Sequence, residues 1–134
     1  MTPIATVLRH TLAGRPARAA AVLDDVVGDA RFTLCCAAAE ACRDALLTLR
    51  PGGAGRWALP AAAARAGAPE LWAARFVTVY VNGQAGAAVD LYRAAERAGT
   101  AQLRESVCAL LAHTYGLSRR AAAGPASERS GGIP

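Results

Sequence analysis

Asp29-Ala30-Arg31-Phe32-Thr33-Leu34-Cys35-Cys36-Ala37-Ala38-Ala39-Glu40-Ala41-Cys42-Arg43-Asp44-Ala45-Leu46-Leu47-Thr48-Leu49 is the stretch whose reading decides the fold class. Phe32, Cys35, Ala39, Cys42, Leu46 and Leu49 recur at steps that alternate between three and four, the signature of one helical face. Leu34, Ala38, Ala41 and Ala45 widen that face, while Glu40, Arg43 and Asp44 are left for water. The spacing predicts a long core helix over 30–50. Asp29 would cap it, because its carboxylate can accept from the free N–H groups of the first turn. Pro51-Gly52-Gly53 would stop it.

Helix punctuation extends outward from there. Thr2-Pro3 opens a short helix that Gly14 ends, and Pro16 opens a second that Gly28 closes. Proline suits a first turn because its missing N–H had no partner there. A loop is expected over 51–57 and a short helix over 60–66. Pro69-Glu70 opens another helix to about Val81. Val77-Thr78-Val79-Tyr80-Val81 favours strand by its β-branching, and Asn82-Gly83 could turn a hairpin. No second strand follows, so helix is the reading, with Asn82-Gly83 as its C-terminal cap. Residues 84–98 keep helical spacing through Ala85, Ala88, Val89, Tyr92 and Ala95. Gly99 ends that helix and Thr100 caps a last one on Leu103, Val107, Leu110, Thr114 and Leu117, closed by Gly116. The expected fold is all-α: a small orthogonal or bundle-like array of six to seven helices. It would form a single domain over 1–123, with a flexible, mobile C-terminal tail over 124–134.

Composition thins the expected core. Ala supplies 35 of the 134 residues, while Leu, Ile, Val and Phe together supply 27. Each Ala removes little apolar area from water, at roughly 25 cal/mol per Å². That scarcity favours a protein partner or a homo-oligomer. Every basic side chain is Arg, as GC-rich coding would give. Residues 1–67 carry eight Arg against five acids and residues 68–134 seven against five, so no block of charge stands out. The longest uncharged stretch, 76–89, is too short to span a bilayer, which takes about 20 residues. Four cysteines without an export signal point to a reducing, cytoplasmic compartment and free thiols.

Candidate chemistry is sparse. Cys35 and Cys42 stand about 10.5 Å apart along one helix, too far to share a metal. No paired CxxC exists, so the cysteines read as small core residues. His10 and His113 have no acid three or four residues away to orient them. Asp24, Asp25 and Asp29 cluster where a following helix N-terminus favours negative charge, without the pattern of a calcium loop. The 51–56 loop is glycine-rich but matches no phosphate-binding motif. Nothing groups a nucleophile, a base and an orienting partner, so catalytic residues, metal ligands and cofactors are all read as none.

Two features point to binding. Trp72, Phe76 and Tyr80 are four apart and share one helical face, which serves as core or as a partner or ligand face. Leu111-Ala112-His113-Thr114-Tyr115-Gly116-Leu117-Ser118-Arg119-Arg120 resembles the start of a helix-turn-helix, with Ala112 four before the turn glycine Gly116 and Leu117 beside it. The resemblance implies a recognition helix capped by Ser118, with Arg119 and Arg120 placed to contact DNA. That helix would be 119–123, ending at Gly124-Pro125 with no large apolar residue to anchor it. The reading is therefore a non-enzymatic helical interaction module, a self-associating adaptor or regulator. A DNA-associated regulator using 111–123 comes second and a small-molecule-binding helical domain third.

Overall fold

A computed structural model describes residues 2–50, 56–60, 63 and 66–124. Six helices account for most of them: α1 (Pro3–Leu12), α2 (Pro16–Leu23), α3 (Asp29–Leu49), α4 (Ala68–Val81), α5 (Ala85–Arg97) and α6 (Thr100–Ala123). No strand occurs among the described residues, and the fold class is all-α. The expected tail from 125 onward, the 51–55 part of the expected loop and most of the expected 60–66 helix lie outside the described residues.

α6 is the hub. It packs along α3 and α4 and also meets α1 and α5, while α1 and α2 form a hairpin. The core joins Leu34, Cys35, Ala38 and Cys42 of α3 to Phe76 of α4 and Leu110 of α6, all essentially inaccessible. Among the described residues nine of the 23 buried apolar side chains are Ala. The helices therefore approach closely and bury little area per residue. No described helix is long and apolar enough to cross a membrane.

Several boundaries differ from expectation for local reasons. α2 stops at Leu23, five residues before Gly28. Acids are unfavourable at a helix C-terminus, and two arginines capture Asp24 instead. Arg104 Nε donates to its Oδ1 at 3.0 Å, and Arg31 approaches to 4.0 Å while its Nε donates to Val26 C=O at 2.8 Å. Asp29 and Thr100 are first helical residues rather than caps, since Gly28 and Gly99 hold the cap positions. On α3 the buried stripe is Leu34, Cys35, Ala38, Ala39, Cys42 and Ala45, so Phe32, Leu46 and Leu49 sit at its half-buried margin.

Segment 77–81 is helical. Asn82-Gly83 closes α4 with Gly83 at φ +75°, where Gly83 N–H donates to Tyr80 C=O and Gln84 N–H to Val79 C=O. This paired closure is the Schellman pattern. The Asn82 side chain also accepts from Trp57 N–H at 2.8 Å and donates to Trp57 C=O at 2.9 Å. The Arg50 guanidinium lies 4.0 Å over the Trp57 ring. Segment 56–60 is thereby fastened to the end of α4.

The largest correction concerns α6. It does not end at Gly116 but continues to Ala123, so there is no turn and no separate recognition helix at 111–123. One interior glycine costs a helix about 1 kcal/mol. Leu117, buried beyond it, and Ala121, packed against the core, outweigh that cost.

Candidate functional site

The sequence-derived sites are dispersed by the fold. Phe76 is fully buried, stacked between Trp72 at 5.2 Å and Tyr80 at 6.4 Å. Trp72 Nε1 donates to Leu91 C=O and Tyr80 OH to Glu40 Oε2, both at 2.8 Å. That bond, and then burial, push the Tyr80 phenol up to about 12. The aromatic face thus locks α4 to α3 and α5, and its polar atoms are already bonded. Cys35 and Cys42 are buried thiols, pushed up by burial to about 12 and about 11. Ser118 is half-buried on the last turns of α6, with Arg119 and Arg120 exposed beyond it.

A cleft that the sequence did not announce lies where α1, α2 and α6 meet. Its volume is about 450 Å³, inside the range of roughly 300–1,000 Å³ typical of small-ligand pockets. Local sequence explains why it exists. α1 closes on Gly14, whose φ is +73°, with Gly14 N–H donating to Thr11 C=O at 3.1 Å and Arg15 N–H to His10 C=O at 2.9 Å. Pro16 then starts α2 at once. From the hairpin Thr11, Gly14, Pro16, Ala17, Ala19 and Ala20 line the cleft, and α6 adds Ala112. Four of the ten lining residues are Ala, whose methyl groups reach little way into the space between the helices.

Larger side chains from α6 complete the lining. Tyr115 stands at the Gly14 mouth, so near Gly14 that a Cβ there would lie 3.0 Å from its hydroxyl. Cys108 and Leu111 line the wall from α6. The Cys108 thiol is half-buried and raised, by burial first.

Thr11 is the cleft's distinctive polar group. It is only 5% exposed, and its Oγ1 is buried with no hydrogen-bond partner. Buried hydroxyls are nearly always bonded, and leaving one unmet costs about 1–3 kcal/mol. The neighbouring His10 ring is half-buried. Its pKa is lowered by burial and then by the charges of Arg15, Arg9 and Arg18.

A second hollow, about 430 Å³, lies beside Asp24, Arg31, Tyr92 and Glu96. Its charges are already engaged, Asp24 with Arg104 and Arg31, and Glu96 with Arg93 at 3.4 Å. Among the described residues no three His, Cys, Asp or Glu side chains gather as a metal would need.

Thr11 and Tyr115 are about a hundred residues apart, and no local motif joins them. Compared with family models, curated proteins and solved structures, the chain matches none.

Proposed function

We propose that this chain is a ligand-binding helical domain that holds a small, mostly apolar molecule in the α1–α2–α6 cleft. The observation that carries the reading is Thr11: a buried hydroxyl without a partner, on the wall of an otherwise apolar cleft of ligand size. A molecule that enters the cleft takes the surrounding methyl groups out of water, and one that spreads the wall enough to bring a polar atom to Thr11 Oγ1, which is closed to solvent in the empty cleft, also satisfies that hydroxyl. Both changes favour the bound state. Binding rather than reaction suits the lining. Burial holds the Cys108 thiol above its ordinary pKa, which keeps the nucleophilic thiolate scarce at neutral pH.

Self-association is the second reading, supported by the exposed apolar side chains Leu12, Val27, Leu47, Leu59 and Val89. These sit on five separate segments of the chain, which weakens the case for one continuous contact face.

The test is a thermal-shift panel of small apolar compounds on wild type and on Ala20→Phe, whose ring would fill the cleft. Compounds that raise the wild-type midpoint should leave the variant unmoved. Equal shifts in both proteins would place the binding elsewhere and end this reading.

A further inference from the structure

Charge that is evenly divided along the chain becomes one-sided in space. Segments 2–23 and 106–124 hold Arg9, Arg15, Arg18, Arg119 and Arg120 and contain no Asp or Glu. They form α1, α2 and the C-terminal part of α6, the three walls of the cleft. Elsewhere ten Arg balance ten acids, so these two segments account for the net charge of +5. None of the five has an ion-pair partner among the described residues.

The two ends of the cleft differ in the same sense. Near Ala20 and Cys108 the closest ion pair is Arg104 with Asp24, where Arg104 also donates to Ala20 C=O at 3.4 Å. That end is electrically closed. At the other end Arg119 Nη1 donates to Tyr115 OH at 3.2 Å, beside Gly14, and Arg15 follows Gly14 directly. Arg119 thus meets a neutral partner, and Arg15 has no ion-pair partner among the described residues. Arginine is well suited to gripping a carboxylate through two parallel N–H···O bonds.

We infer that the ligand is a small amphipathic carboxylate, with its apolar body in the cleft and its anionic head at the Gly14–Tyr115 mouth, held by Arg119 and Arg15. The inference rests on the cleft being the binding site and adds the chemical class of its occupant. A nucleic acid could use the arginines but would leave the cleft unexplained. A free, monomeric acid uses the arginines and the cleft together.

The experiment reads alkylation of Cys108 by iodoacetamide, site by site in a mass spectrometer, with half-buried Cys36 on α3 as the internal control. Decanoate and decanol, both below their aggregation limits, supply the same chain with and without the charge. Decanoate should protect Cys108, and not Cys36, at about tenfold lower concentration than decanol, the ratio one charge-assisted hydrogen bond gives. Added salt should narrow the gap. Arg119→Gln and Arg15→Gln, both at exposed positions, should narrow it as well and leave decanol unaffected. Equal protection by the two compounds would overturn the carboxylate and leave the cleft standing. Protection by neither would overturn both. Protection by anionic phospholipid vesicles or by a random DNA duplex, in place of monomeric decanoate, would also overturn the inference.

Discussion

Two buried threonines show how differently the two faces of α6 are built. Thr114 lies where α6 crosses α3. Its hydroxyl donates to Leu110 C=O at 2.8 Å and meets Cys42 Sγ at 3.3 Å. Thr11 lies where α1 meets α6 and has no partner. At that crossing the buried side chains are Leu34, Cys35, Cys42 and three Ala from α3, with Val107 and Leu110 from α6. Beside Thr11 the cleft is lined by Gly14, Pro16 and four Ala together with Cys108, Leu111 and Tyr115, and the arginines of those helices have no acid partner among the described residues. A small Ala-rich chain has few large side chains to distribute. This one fills the α3–α4–α6 crossing, whereas at the α1–α2 end Val7 and Leu23 are buried yet a cleft remains beside Thr11. Stability and binding are thereby assigned to different regions.

The contrast breaks most visibly if the crossing is not the stabilising centre. Phe76→Ala should cost about 3–5 kcal/mol, from lost transfer energy and the cavity left behind. Denaturant unfolding checks it. A loss below about 1 kcal/mol would mean that the crossing can collapse and that the two regions are not so different.

Gly14→Ala should come next, at about 1–2 kcal/mol for a side chain held at positive φ, with Tyr115 also pushed aside. Its distinguishing effect is on the cleft, because moving Tyr115 opens the Gly14 mouth. Cys108 should alkylate faster in this variant, while Cys36 is unchanged.

Much of the stabilising region was legible in the sequence, whereas the cleft was not. Core residues on α3 and α6 repeat every three or four positions, so Cys35, Cys42, Val107 and Leu110 declare themselves locally. Asn82-Gly83 likewise declares the end of α4. Gly116 misled because a glycine after a helical run reads as a stop. Whether it is one depends on Leu117 finding a core to enter. The cleft is made by absent side chains, and Ala17 or Ala112 looks the same in sequence whether it packs or leaves a gap. One signal was present all along. Counting charge by halves of the chain hid the acid-free stretches 2–23 and 106–124, which only the fold brings together.

Thr11→Val should act in the opposite direction to the two losses above. Replacing an unmet buried hydroxyl by a methyl group should stabilise the unliganded protein by about 1 kcal/mol. Thr114→Val, which removes a bonded hydroxyl, should destabilise. Matched unfolding curves for the pair sharpen the comparison, and two changes of the same sign would dissolve it.

The smallest effect is on pH. Burial first, then Arg120, lowers the His113 pKa, and His10 is lowered as well. Each ring is thus harder to protonate folded than unfolded. Below the unfolded value of 6.5 the unfolded chain binds more protons, so stability should be level above that pH and decline beneath it. His113→Gln should shallow the decline, as seen in midpoints measured between neutral and mildly acidic pH.

The most direct test of the central claim is a backbone and methyl NMR titration of the full chain with decanoate. Shifts concentrated on Thr11, Gly14, Ala20, Cys108, Leu111 and Tyr115, with Phe76 and Leu34 unmoved, are the predicted result. Shifts spread across the Leu59 and Val89 surfaces, or none at all, would contradict the assignment of binding to the α1–α2–α6 end.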